Sequence, residues 1–168
     1  RQLQEAFFTK GREFERVLKV GRTHLQDAVP MSLGAEFRGW GTTMGEEVDR
    51  ISEARALLRE INLGATAIGT SVTAAHGYPK LAVRHLSALT GIDFILAGDL
   101  VEATSDTGAY VQLSGVLKRT ASKLTKICND IRLLASGPRA GFNEINLPQL
   151  QPGSSIMPGK VNPVIPEV

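Results

Sequence analysis

One short stretch of this chain is unusually rich in side chains that can do chemistry. Residues 153–163 read Gly-Ser-Ser-Ile-Met-Pro-Gly-Lys-Val-Asn-Pro and carry two hydroxyls, one ammonium and one carboxamide. The glycines and prolines of this stretch oppose both helix and strand, so we expect a loop that can move and carry catalytic groups. It is not a phosphate-binding loop, because its glycine spacing is one residue too long and Val161 stands where a metal-binding hydroxyl belongs.

Ser154 is a poor base unless its surroundings change it. A free serine hydroxyl barely ionises near neutral pH, so Ser154 can remove a proton only if loop amides and a cation such as Lys160 stabilise the alkoxide. Elimination next to a carboxylate needs such a base, donors for the carboxylate on which charge develops, and an anchor for the other carboxylate. On spacing alone, a polar surface loop without catalytic function is an equally good interpretation.

A second polar stretch lies near the start of the chain. Residues 21–30 read Gly-Arg-Thr-His-Leu-Gln-Asp-Ala-Val-Pro, and we expect a loop because the segment is polar and bracketed by glycine and proline. Taken alone, His24 is more typical of a hydrogen-bonded structural histidine than of a catalytic one. The chain has one cysteine and no H-E-x-x-H pattern, so no metal site is predicted. A single cysteine also excludes a disulfide within the chain and favours a reducing, cytoplasmic compartment.

Together the two stretches resemble signatures of the aspartase/fumarase superfamily, whose members add or eliminate across a carbon–carbon bond to release fumarate. Residues 153–163 match its G-S-S-x-x-P-x-K-x-N pattern, and residues 21–28 match its G-R-T-H-x-Q-D-A pattern. The resemblance implies that Ser154 is the catalytic base. It implies substrate contacts for five further residues: Ser155 at the β-carboxylate, Lys160 and Asn162 at the α-carboxylate, and Thr23 and His24.

Glu167 completes the set of residues that the resemblance assigns to catalysis. It stands where related fumarases have a glutamate paired to the histidine of the G-R-T-H segment. The resemblance therefore implies a pair between Glu167 and His24, in which the carboxylate fixes the tautomer of the ring.

Within the superfamily the leaving group is either ammonia or water. Residues 103–106, 141–148 and 162–168 resemble aspartate ammonia-lyases, whereas class II fumarases have G-L-G-E-L-x-L-P-E-N-E and N-P-T-Q-C-E around the signature. The resemblance therefore implies conversion of L-aspartate to fumarate and ammonia by anti elimination through a carbanion, without a cofactor. A class II fumarate hydratase is the alternative. One segment departs from both branches: residues 69–73 read Gly-Thr-Ser-Val-Thr, whereas both usually have G-T-G-L-N. This departure leaves a changed substrate preference open.

A non-catalytic role is the third interpretation. Some members of the superfamily serve structural roles, so the helices of this chain could form only an assembly scaffold. The complete set of polar residues in the two signatures argues against that interpretation.

Composition excludes two other classes of partner. The formal net charge is only +2, and acidic and basic residues are interspersed, so neither a nucleic-acid-binding surface nor a membrane-binding one is predicted. No apolar run approaches the roughly 18 residues of a membrane span. A hydrophobic content of 42% with only 5% aromatic residues favours aliphatic packing between helices.

Proline and glycine positions predict an all-α chain dominated by long helices. Glycines at 39, 41, 45, 108 and 115 lie inside the long helices and suggest close approach of other helices there. The predicted elements are a helix over 2–18 that ends near Gly21, a helix from the N-cap Ser32 to Glu60, an irregular segment over 62–78 with a broken helical turn, a short helix from Pro79 to Leu89 ended by Gly91, and a second long helix from Asp99 to Ala135.

The long helices need partners. At 1.5 Å per residue, helices of roughly 28 to 37 residues extend about 40–55 Å, more than one globule of this size covers. The resemblance implies a long-helix bundle, the central domain of a homotetramer in which three subunits build each active site. It also implies that residues 1–168 are part of that central helical domain, without the N-terminal and C-terminal domains of the subunit.

We therefore predict that residues 1–168 purified alone will self-associate or aggregate and will not turn over aspartate. Unpaired apolar helix faces form exposed patches that favour burial, and the remaining contacts to substrate lie elsewhere. Light scattering or sedimentation gives the mass in solution, and an absorbance assay gives the turnover. A stable soluble monomer would contradict the assembly argument.

Overall fold

The computed structural model describes residues 1–168, and α-helices form most of its regular structure. The elements in chain order are α1 (Gln2–Glu13), β1 (Leu18–Thr23), β2 (Gln26–Ser32), α2 (Leu33–Leu57), β3 (Glu60–Ile61), α3 (Tyr78–Thr90), β4 (Ile95–Leu96), α4 (Leu100–Ser105), α5 (Gly108–Leu134) and α6 (Val164–Glu167). The predicted all-α class is confirmed, with two small two-stranded sheets beside the helices. No helix is both long enough and apolar enough to span a bilayer.

Contacts divide the chain into two compact units. One unit contains Arg1–Glu46 and Arg119–Val168, and the other contains Glu47–Lys118. Both predicted signature stretches belong to the first unit. All the candidate site residues therefore lie in that unit.

The core of the first unit is formed by α1, α2 and α5. Aromatic rings lie at its centre, together with aliphatic side chains. Phe37 of α2 packs edge-on against Phe7 and Phe14, with ring centroids 6.3 Å and 5.3 Å away. The buried members of this cluster are Phe7, Leu33, Phe37, Trp40, Met44, Ile127 and Leu134.

The first helix is shorter than predicted. α1 ends at Glu13, and Phe14 closes it by donating its amide hydrogen to the carbonyl of Lys10. The amide of Val17 then bonds back to the carbonyl of Phe14, which turns the chain into β1. The apolar spacing that suggested a helix to residue 18 therefore continues into a strand.

The predicted loop at 21–30 is wrong, because this segment is a β-hairpin. β1 pairs antiparallel with β2, from Leu18 opposite Ser32 to Thr23 opposite Gln26. A two-residue turn connects the strands, and both its residues, His24 and Leu25, have positive φ values of 53° and 61°. Two-residue hairpin turns usually contain Asn-Gly or Asp-Gly. Neither pair occurs here, so the sequence contains no indication of a hairpin.

The start of the first long helix is confirmed. The Ser32 hydroxyl accepts a hydrogen bond of 3.0 Å from the amide of Ala35, as an N-cap residue does. The helix ends at Leu57, three residues before the predicted Glu60, which instead begins β3. With 25 residues it remains far longer than the usual three turns.

Helix α2 approaches α1 closely at several of its glycines. A Cβ at Gly41 would lie 2.7 Å from the ring of Phe8, and one at Gly45 would lie 2.5 Å from the amide of Gln4. The predicted close approach is thus confirmed at these two positions. Gly39 has no neighbour within 4 Å, and neither has Gly115 of α5, so the prediction is wrong for them within this chain.

In the second unit, β3 pairs in parallel with β4, and α3 follows a segment of turns and bends without the predicted helical turn. Pro79 lies in the first turn of α3, as predicted. Gly91 ends the helix, as predicted, and it does so in the left-handed conformation with φ of 69°.

The single helix predicted over 99–135 is wrong, because the chain forms α4 and then α5. Asp99 caps α4 by accepting hydrogen bonds from the amides of Val101 and Glu102. Asp106 is extended, with ψ of 131°, and its carboxylate accepts from the amide of Gly108 at 3.2 Å. This local bond competes with helix continuation, which is why a short polar side chain breaks the pattern there.

Two glycine substitutions should change stability in opposite directions. Gly34→Ala places its Cβ against the carbonyl oxygen of Gly11 in α1 and 2.7 Å from the amide of Glu15 just beyond that helix, so the two segments must separate from α2. We expect a loss of about 1–3 kcal/mol for this overpacking. Gly39→Ala meets no atom and should gain about 1 kcal/mol of helix propensity. Thermal unfolding of both variants measures the two changes in stability. A Gly34→Ala variant more stable than the wild type would contradict the close approach at Gly34.

Candidate active site

Residues 153–163 form the predicted loop, which lies between the end of the 141–152 segment and the short helix α6. Within it, the amide of Lys160 donates to the carbonyl of Met157 at 3.2 Å, and Gly159 has a positive φ of 81°. Gly159 is the third residue of the turn that this bond closes, and its left-handed conformation lets the chain reverse there. The loop thus folds back on itself.

The two ends of this loop touch each other. A Cβ at Gly153 would collide with the carbonyl oxygen of Lys160, so the two backbones pack directly together. Gly153, the residue before Ser154, therefore lies against the backbone of Lys160, although the two are seven positions apart in the chain. Only glycine at 153 permits this closure.

Ser154 is the better supported of the two loop serines as a reactive group. Its side chain is half-buried, and its hydroxyl oxygen accepts a hydrogen bond of 3.2 Å from the amide of Ile156. An amide donating to this oxygen is the kind of contact that favours an alkoxide. The neighbouring Ser155 is exposed and makes no such bond. Lys160 is also exposed, and its ammonium makes no ion pair within the chain.

Thr23 and His24 lie at the tip of the β1–β2 hairpin. Both are exposed, and neither side chain makes a hydrogen bond within the chain. A tip with free side chains can contact a ligand or a neighbouring subunit. Its position depends on how the base of the hairpin is held.

The base of the hairpin is held by ion pairs that sequence reasoning missed. Lys19 contacts Glu36 of α2 at 2.5 Å and Glu144 at 3.2 Å, and Arg22 contacts Glu144 at 2.5 Å. The guanidinium of Arg22 also lies 4.1 Å from the centre of the Phe142 ring. The Lys19 side chain is only 7% exposed, so this pairing is largely shielded from water.

Removing one partner of a buried ion pair costs about 3–5 kcal/mol, because an unpaired charge is left behind. The Glu144 oxygen nearest Lys19 makes no hydrogen bond of good geometry, so the contact of 3.2 Å acts through charge. No spacing rule could have found this network, because Glu144 lies far along the chain from Lys19 and Arg22. The one signal in the sequence is the cluster of charged residues around the G-R-T-H segment, which indicates that these cations pair with carboxylates.

The predicted pair between His24 and Glu167 does not form within this chain. Glu167 lies in α6 and pairs instead with Arg132 of α5, at 3.7 Å between the guanidinium and the carboxylate. His24 is exposed at the hairpin tip and has no hydrogen bond to Glu167. The physical reason is that α6 follows directly on the loop and contacts the end of α5.

The structure does not join the two predicted halves of the site. No hydrogen bond or ion pair connects Thr23 or His24 with the side chains of the 153–163 loop, including Asn162, which is half-buried. No group of three or more histidine, cysteine, aspartate or glutamate side chains is arranged to hold a metal ion. One chain therefore presents a loop with a serine and a lysine, and a separate hairpin tip.

A family model described as lyase matches residues 1–168. The chain belongs to this lyase family. Its predicted membership of the aspartase/fumarase superfamily is thereby confirmed. The family assignment covers both stretches that carried the prediction, because the match extends over the whole chain.

Similar proteins and solved structures support the family assignment. An aspartate ammonia-lyase from Pseudomonas aeruginosa is 65% identical over 98% of this chain and 35% of its own length. A crystal structure of a fumarate lyase:delta crystallin from Brucella melitensis bound to cobalt has a TM-score of 0.95 and 58% identity, and covers 99% of this chain and 36% of that one. A class II fumarase from Schistosoma mansoni has a TM-score of 0.90 and 37% identity, over 98% and 38%. The chain spans about a third of the length of the curated relatives it matches.

Proposed function

We propose that the protein containing this chain is an aspartate ammonia-lyase that converts L-aspartate to fumarate and ammonia. The observation that carries the proposal is the closed loop, in which Gly153 packs on the backbone of Lys160 and the Ser154 hydroxyl oxygen accepts an amide hydrogen bond. The relatives named aspartate ammonia-lyase, at 57% to 65% identity, support the choice of ammonia as the leaving group.

The proposed reaction begins with Ser154. Its alkoxide takes the proton from the carbon next to the β-carboxylate of L-aspartate, and the electron pair is held on that carboxylate, which becomes a dianion. The C–N bond on the opposite face then breaks, the double bond of fumarate forms, and ammonia leaves. The amide of Ile156, which donates to the Ser154 hydroxyl oxygen, stabilises the charged base.

The other residues bind the two carboxylates. Ser155 donates to the β-carboxylate as charge develops there, and Lys160 with Asn162 anchors the α-carboxylate by charge-assisted hydrogen bonds. The absence of an ion pair on Lys160 within the chain leaves its ammonium available for this contact.

Thr23 and His24 act on substrate from the hairpin tip, with Glu167 pairing to His24 when sites assemble. In a single chain this tip and the loop are not joined, and Glu167 is bound to Arg132. We therefore propose a homotetramer in which different subunits supply the two halves of each site. Exposed apolar side chains on the helices, among them Leu89 of α3 and Tyr110 and Val111 of α5, supply surfaces for that assembly.

A class II fumarate hydratase is the second candidate. It is favoured by the close structural match to the fumarase from Schistosoma mansoni, but the identity of 37% is well below that of the aspartate ammonia-lyases. The substrate is in either case a small dicarboxylate, and a cytoplasmic location stays a prediction.

Substrate choice distinguishes the two candidates. We expect the complete protein to raise the absorbance of fumarate with L-aspartate and to do so far less with L-malate at equal concentration. The reason is that residues 141–148 and 162–168 resemble the ammonia-lyase branch. A preference for L-malate would transfer the assignment to fumarate hydratase.

Two substitutions in the loop test the proposed roles. Ser154→Ala should lower kcat by several orders of magnitude, because positioned proton transfer contributes about 10²–10⁴-fold and alignment adds more. Lys160→Ala should act mainly by raising KM. Ser52→Ala, which removes a hydroxyl bonded only to the Val48 carbonyl of its own helix, is the matched control. Near-normal turnover of the Ser154 variant would place the base elsewhere.

A further inference from the structure

The carboxylate of Glu144 joins two cations of the same strand. One oxygen contacts Arg22 at 2.5 Å, and the other contacts Lys19 at 3.2 Å. The side chains of Glu144 and Arg22 are each 18% exposed, and that of Lys19 is 7% exposed. The three charges therefore interact in surroundings that screen them much less than open solvent does.

An irregularity in the hairpin brings both cations to one carboxylate. In a regular strand, residues three positions apart point to opposite faces. The register between β1 and β2 shifts between Val20 and Arg22, which is a β-bulge or irregularity that adds local twist. Lys19 and Arg22 consequently both reach Glu144, and the hairpin is held from both sides of the irregularity.

Glu144 is itself fixed to the end of α5. Its amide donates to the carbonyl of Leu134 at 2.9 Å, and the amide of Asn143 donates to the carbonyl of Ser136 at 2.8 Å. The Ser136 hydroxyl also accepts from the amide of Phe142 at 3.1 Å. The carboxylate thus extends from a backbone that is bonded to a helix terminus.

Arg22 connects this anchor to the hairpin tip. Its guanidinium lies between the Glu144 carboxylate and the Phe142 ring, which adds a cation–π contact. The next residues are Thr23 and the turn residues His24 and Leu25, whose positive φ values are strained for residues with side chains. Such a conformation persists only where surrounding structure fixes it. The pairing of Thr23 with Gln26 fixes the turn itself, and the contacts of Lys19 and Arg22 hold the strand that carries it.

We propose that Glu144 is a positioning residue, which acts through Arg22 and Lys19 to hold the hairpin tip with Thr23 and His24 in the orientation that substrate requires. This inference rests on the proposed function for its effect on turnover, but the anchoring itself is a property of the fold. Glu144 acts without touching substrate. Its loss should loosen the tip and weaken every contact that the tip makes.

The test is Glu144→Gln in the complete protein, a change that keeps the shape and removes the charge. Hydrogen exchange of the backbone amides in residues 18–32 should become at least tenfold faster, and kcat/KM for L-aspartate should fall at least tenfold. The matched control is Glu46→Gln, because Glu46 also contacts two cations, Lys123 at 3.1 Å and Arg119 at 3.9 Å, away from the hairpin. Unchanged exchange in residues 18–32 of the Glu144 variant would overturn the proposal.

A double-mutant cycle with His24→Ala separates positioning from general destabilisation. If Glu144 acts through the tip, adding Glu144→Gln to the His24 variant should lower kcat/KM much less than it does in the wild type. Fully additive losses would overturn the proposal. If wild-type protein lacks lyase activity, the proposed function fails, and the exchange rates alone decide whether Glu144 anchors the hairpin.

A milder variant covers the case in which Glu144→Gln does not fold. Phe142→Leu removes the ring beneath Arg22 and keeps an apolar side chain at a partly exposed position. Faster exchange in residues 18–32 of this variant supports the anchoring through Arg22. Exchange equal to that of the wild type would overturn it.

Discussion

The packing of Phe37 against its aromatic neighbours is the contact on which the first unit depends. Its ring centre lies 4.7 Å from Trp40, 5.3 Å from Phe14 and 6.3 Å from Phe7, so one side chain of α2 packs against both the middle of α1 and the residue that closes it. Burying a phenylalanine contributes about 1.5–3 kcal/mol. Ile127 and Leu134 of α5 belong to the same cluster, which makes it the common support of three helices.

This core also places the residues that hold the hairpin. The hairpin leads directly into α2 through Ser32, and the segment with Glu144 leaves the end of α5 at Leu134. Because both helices are fixed in one core, Glu36 on α2 and Glu144 after α5 come within reach of Lys19. Shielded ion pairs of this kind add little net stability, since desolvation opposes the attraction, but they define a geometry. Here that geometry is the orientation of an exposed tip.

The division of the candidate site follows from the same arrangement. The hairpin tip is supported from α2 and α5, whereas the 153–163 loop closes on itself through Gly153 and Lys160 and continues into α6. No hydrogen bond or ion pair within the chain connects the two sets of side chains. Each set is therefore ordered locally, and a site that uses both needs either a substrate or another subunit between them. The apolar side chains left exposed on α3 and α5 are consistent with association of chains.

The sequence by itself determined the features that depend on neighbouring residues. Ser32 caps α2, Gly91 ends α3, and the glycines and prolines of 153–163 exclude helix and strand, all by short-range backbone effects. The residue types of the two signature stretches likewise sufficed to indicate the family. The tertiary structure alone decided the hairpin, whose turn residues carry no local signal, and the partners of Glu144 and Glu167. The hairpin and these ion pairs depend on segments that come together only after helices distant in the chain have packed. The spacing of residues along the sequence does not predict such contacts.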